Sequence, residues 1–87
     1  MVKRNKTLKK ILAGSKNVRF DEFVALLEGF GFVLKRGRGS HRTYKHPAVP
    51  EILTIQPDKN GQIKPYQARK LLKMVEEYDL TLDEDES

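Results

Sequence analysis

"FVLKRGRGSHRTYKHP", residues 32–47, is the stretch on which the fold turns. Two strand-like runs, "FVLKR" (32–36) and "HRTYKH" (41–46), flank "GRGS" (37–40), and a short glycine-bearing link between such runs is hairpin chemistry. From Lys35 to Pro47 the stretch also packs five Lys/Arg, two histidines and two glycines. Two readings fit that composition. One is a solvated hairpin; the other is a strand pair that grips phosphate, with a proton-transfer group at its turn.

Working downstream, Pro47 and Pro50 are expected to break the second strand and open a turn. A third strand, "EILTIQ" (51–56), then ends at Pro57. "DKNGQIK" (58–64) reads as a loop with its tightest turn at Asn60–Gly61. Pro65 suits the first position of a helix, where a missing N–H costs nothing. From Tyr66 to about Tyr78, Ala68, Leu71, Leu72 and Val75 line one face. Upstream, Phe20, Phe23, Val24, Leu27 and Phe30 recur with helical spacing over residues 20–31. Asp21 is the expected N-cap, and Gly29 and Gly31 end the helix. Residues 5–14, "NKTLKKILAG", place Leu8, Ile11 and Leu12 on one face of a helix too short to persist undocked.

The order is helix, helix, three strands, helix. That predicts an α+β fold: a three-stranded antiparallel sheet with helices 20–31 and 66–78 on one face. The expected core is Phe20, Phe23, Leu27, Phe30, Leu71, Leu72 and Val75. The second sheet face and the hairpin are left for a ligand. Three segments follow: a basic helix and connector over 1–19, a domain over 20–80, and an acidic tail over 81–87.

An 87-residue chain suits one domain with a modest core. No apolar run approaches the roughly 20 residues of a membrane span, and the basic N-terminus lacks the apolar stretch of a secretory signal. The chain has no cysteine, which excludes disulfides and thiolate chemistry and fits a cytoplasmic setting. Residues 1–46 hold 12 Lys/Arg against 3 Asp/Glu, whereas residues 47–87 hold 5 against 9. Such a split suggests a basic surface that meets a polyanion.

In the strand after the turn, alternation puts His41, Thr43 and Lys45 on one face and Arg42, Tyr44 and His46 on the other. His41 and Lys45 then line a wall about 13–14 Å long. The guanidinium groups of Arg36, Arg38 and Arg42, with Lys35 beside them, suit phosphate oxygens. Gly37 and Gly39 let a backbone approach a ligand, and Ser40 offers a hydroxyl. Tyr44 is assigned to packing ahead of base stacking, and Tyr66 and Tyr78 carry no functional signal. His41 and His46 lie on opposite faces, with no cysteine and no carboxylate between residues 29 and 50, so neither a metal site nor a cofactor is expected. No phosphate loop, nucleophile elbow or dinucleotide fingerprint is present. One reaction needs little machinery: cleavage of RNA by its own 2′-hydroxyl, for which an imidazole can carry the proton and nearby cations can stabilise the phosphorane.

"FVLKRGRGSHRTYKHP", "ILTIQP" and "KPYQARKLLKMVEEYDL" together resemble the HicA-type toxins of toxin–antitoxin systems. In their pattern a helix and a strand precede Gly-Ser-His, and a basic aromatic strand then ends in His-Pro. The resemblance implies a fold like the double-stranded-RNA-binding domain (α-β-β-β-α). It also implies a metal-independent endoribonuclease acting on messenger RNA, and neutralisation by a HicB-like antitoxin. Carried onto this chain, the catalytic histidine is His41, with Gly39 and Ser40 forming its turn. Lys35, Arg36, Arg38, Arg42 and Lys45 are the candidate RNA contacts. His46, in the His-Pro element, is expected to back the strand. Residues 1–19 and the segment Gln56–Pro57–Asp58 depart from the family pattern. A non-catalytic RNA-binding module of the same shape is the alternative, and a regulatory or DNA-binding protein a third reading.

Overall fold

The elements run α1 (Arg4–Leu12), α2 (Phe20–Gly29), β1 (Val33–Arg38), β2 (His41–His46), β3 (Val49–Ile55) and α3 (Pro65–Glu77). They come from a computed structural model that describes residues 4–14 and 17–82. The expected α+β order is present, and its α-β-β-β-α part has the arrangement of a double-stranded-RNA-binding domain, with α1 added in front.

The helical period of residues 20–31 yields α2, with Phe23, Leu26 and Leu27 buried. Its N-cap is Arg19, not Asp21. Arg19 is extended (φ −74, ψ 153) and bridges to Gln62, and that pairing starts the helix earlier than a cap at Asp21 would. Glu22, three residues on, accepts a hydrogen bond from the Arg19 N–H at 3.0 Å. Asp21 sits in the first turn, where its charge favours the positive helix end. At the other end, Gly31 adopts φ +99. Its N–H donates to Glu28 O and that of Phe32 to Leu27 O, each at 3.0 Å, which closes the helix with a left-handed glycine and turns the chain into β1.

The sheet is antiparallel in the order β1-β2-β3. The β1–β2 hairpin turns on Gly39 and Ser40; Gly39 has φ +58 and Ser40 does not, which is the pattern of a turn with glycine in its first central position. β1 carries a bulge at Lys35, between the pairs Leu34↔Tyr44 and Arg36↔Thr43. β3 begins at Val49, two residues before the expected Glu51, and runs through Pro50. The proline is tolerated because β3 is an edge strand, where a missing N–H breaks no ladder bond.

Tyr44, Val49, Leu53 and Ile55 supply the buried sheet face, and Phe23, Leu26, Leu27, Leu71 and Met74 cover it from α2 and α3. Of the expected core, Phe23, Leu27, Phe30 and Leu71 are buried, whereas Phe20, Leu72 and Val75 pack half-buried at its margin. Tyr44 is 1% exposed, so it packs.

α1 docks on α2 through Thr7 and Ile11, with Leu8 against the core and the Arg4 guanidinium donating to Ala25 O at 2.9 Å. Leu12, expected on that face, is 66% exposed. One residue is 100° of helix, so a face centred on residues 7 and 11 turns position 12 outward. The connector joins the same core: Val18 is 1% exposed, and its carbonyl accepts from Ile63 N–H at 2.9 Å. Of the acidic tail expected over 81–87, residues 83–87 lie outside the described residues. No helix among the described residues is long and apolar enough to cross a membrane.

Candidate nucleic-acid interface

The register decides which side chains share the sheet face that the helices leave uncovered. Arg38 pairs with His41, Arg36 with Thr43 and Val33 with Lys45. Tyr44 and Ile55 point into the core, so these alternate residues point away from it. Thr43 meets Thr54 of β3 across the face, their hydroxyl oxygens 3.1 Å apart. The open face thus brings together His41, Arg36, Arg38 and Lys45, all exposed. Lys35 projects from the bulge beside them, and Ser40 lies in the turn that leads to His41.

Arg42 and Gly37 lie elsewhere. They pair with each other on the helix side of the hairpin, and the Arg42 guanidinium sits over the Phe20 ring, 5.3 Å from its centroid. A phosphate on the open face would therefore meet Arg36, Arg38 and Lys45, with Arg42 behind the sheet. A Cβ at Gly39 would meet nothing within 4 Å, so the space above the turn is open to a ligand.

The two histidines sit in different chemistry. His46 Nδ1 accepts from Ala48 N–H at 3.0 Å, which leaves Nε2 protonated to donate to Phe30 O at 2.9 Å. Its ring also meets Phe32 edge-on, centroids 5.1 Å apart. His46 therefore ties the end of β2 to the end of α2, as the backing role expects. Among the described residues His41 makes no such hydrogen bond or ring contact, and it is exposed.

At the end of β3 the open face runs into a cleft of about 510 Å³ that sequence reasoning missed. His41 lines it with Ile52, Gln56 and, from α3, Tyr66 and Lys70. Two features bring α3 there. The β2–β3 register pairs Arg42 with Ile55 and Thr43 with Thr54; continued one step, it sets Gln56 opposite His41. Gln67, 1% exposed, then clips α3 to that point: with its amide oriented to satisfy both ends, it donates to Gln56 O and accepts from Gln56 N–H, each at 3.2 Å. A polar residue in the buried row of a predicted helix was the available signal.

Among the described residues no three His, Cys, Asp or Glu side chains gather as metal ligands would. Partial burial first, then the Glu77 and Glu51 carboxylates, raise the Tyr78 phenol above the usual range. It follows the last turn of α3, at the other end of the helix from Tyr66.

Fold and face together define a class: small α+β domains of double-stranded-RNA-binding-domain shape with a basic, uncovered sheet face. Within that class, the family model described as HicA toxin of bacterial toxin-antitoxin matches residues 20–76. The chain belongs to the HicA toxin family, as a toxin of a toxin–antitoxin system with an antitoxin as its partner. The match begins at the first residue of α2, so α1 lies outside it. No curated protein and no solved structure matches the chain.

Proposed function

We propose that the protein is a metal-independent endoribonuclease that cuts messenger RNA with His41 as its proton carrier, and that a HicB-like antitoxin silences it by covering that residue. The supporting observation is the exposed imidazole of His41 beside Arg38 on the open face, in a Gly39-Ser40-His41 run that lies within the residues the family model matches. In the proposed step the neutral imidazole accepts the ribose 2′-hydroxyl proton. O2′ then attacks the adjacent phosphorus, and the bond to the 5′-oxygen of the next nucleotide breaks. That oxygen takes a proton from water, leaving a 2′,3′-cyclic phosphate and a 5′-hydroxyl end. Arg36, Arg38 and Lys45 stabilise the extra negative charge on phosphorus as it forms. Positioned proton transfer contributes roughly 10²–10⁴-fold to rate. The nucleophile belongs to the substrate, so DNA, which lacks the 2′-hydroxyl, is not cut.

Induction in bacteria tests the reading. Wild-type protein should arrest growth, His41→Ala should lift the arrest at equal protein level, and co-expression of a HicB-like antitoxin should restore growth. Arrest by His41→Ala as strong as by wild type would remove His41 from the mechanism.

A further inference from the structure

The first two turns of α3 form a wall of the cleft that His41 enters, and the reaction above makes no use of them. Tyr66 is 54% exposed and Ile52, on β3, is 44% exposed, although both are large and apolar enough to bury. An exposed tyrosine on a helix is ordinary by itself. Here it shares one concave site with the exposed aliphatic Ile52, with Lys70 and Gln56, and with the candidate catalytic His41. A flat apolar surface next to a cation is the chemistry that holds an unpaired base and its phosphate. The position is also rigid, because the buried Gln67 fixes the start of α3 to the Gln56 backbone on both its donor and acceptor sides.

We propose that this cleft receives one unstacked nucleotide of single-stranded RNA beside the scissile bond, its base against Tyr66 and Ile52 and its phosphate at Lys70. The inference rests on the reading that the open face binds RNA, and it adds where the strand goes. A base can enter the cleft only if it is unpaired, so the site selects single strands, against the duplex that the fold's shape alone suggests. Tyr66 and Lys70 also line a second cleft of about 440 Å³ along α3, together with Arg69 and Lys73. Glu51 and Glu77 line it too, and their carboxylates repel a phosphate chain, so the cationic track along α3 is short.

The test uses a short oligomer of 4-thiouridine with every ribose 2′-O-methylated, which cannot be cut, so that binding is read apart from cleavage. Full-length wild type should bind it more tightly than a duplex of the same length and should crosslink at Tyr66. Tyr66→Ala should weaken binding about 5- to 100-fold, while Tyr66→Phe should keep it, because stacking needs the ring and not the hydroxyl. Lys70→Ala should lower the log–log salt slope by roughly 0.7. Unchanged affinity in folded Tyr66→Ala, a crosslink away from the cleft, or tighter binding of duplex would overturn the proposal. Loss of cleavage in His41→Ala is scored separately on ordinary RNA, so the cleft can fail while the nuclease stands, or the reverse.

Discussion

Replacing each histidine by alanine should damage a different property. His46 donates to Phe30 O, accepts from Ala48 N–H and meets Phe32 edge-on. Each hydrogen bond contributes about 0.5–1.5 kcal/mol net; the part-buried Phe30 carbonyl puts its bond near the upper end, and the exposed Ala48 N–H puts the other near the lower. The aromatic contact adds about 0.5–1.5 kcal/mol. His46→Ala should therefore lose about 2–4 kcal/mol, a large part of the roughly 5–15 kcal/mol that holds a domain together. With a urea slope of about 1 kcal/mol per molar for so small a chain, the midpoint falls by about 2–4 M. His41 is exposed, and its loss should move stability by no more than about 0.5 kcal/mol. Urea titration followed by circular dichroism measures both variants, and RNA cleavage per folded molecule is then compared below the midpoint. Folded His46→Ala should still cut RNA; His41→Ala should not. A His46→Ala midpoint equal to wild type, or a His41→Ala midpoint as low as that of His46→Ala, would refute the division of roles.

Other variants probe other joints of the account. Gly31→Ala places a Cβ at φ +99 and 3.0 Å from His46 Nε2, and should cost about 1–2 kcal/mol in thermal or urea unfolding. Removing Arg36, Arg38 or Lys45 singly should flatten the salt dependence of RNA binding by roughly 0.7 in log–log slope. Arg42→Ala, on the helix side over Phe20, should leave that slope unchanged and lower stability by about 0.5–1 kcal/mol. Deleting residues 1–14 uncovers the α2 surface that Thr7 and Ile11 bury and should lower the melting temperature, which differential scanning calorimetry reads directly. Equal melting would mean that α1 is an appendage and no part of the core.

The elements that sequence reading recovered are those set by local chemistry. The 20–30 apolar spacing, Gly31, the Gly39–Ser40 turn and Pro65 each act within a few residues, and each stands where its chemistry requires. What was not legible depends on partners distant in sequence. Arg19 displaces Asp21 as N-cap because Gln62 pairs with it, 43 positions away by the numbering. Pro50 continues a strand because β3 lies at an edge. Leu12 turns outward because α1 docks by Thr7 and Ile11, and a buried threonine does not show in an apolar pattern. The site divides the same way. Alternation along one strand separates His41 from Arg42 and His46, whereas Tyr66 and Lys70 reach His41 only through the Gln67–Gln56 clip.

Incubating purified wild-type and His41→Ala protein with a messenger RNA and excess chelator, then sequencing the fragment ends, tests the central claim most directly. Wild type alone should yield fragments, ending in 2′,3′-cyclic phosphate and 5′-hydroxyl, with no cut where the scissile ribose is 2′-deoxy. Intact RNA after long incubation with folded, antitoxin-free wild type would contradict it, as would the same fragments from His41→Ala.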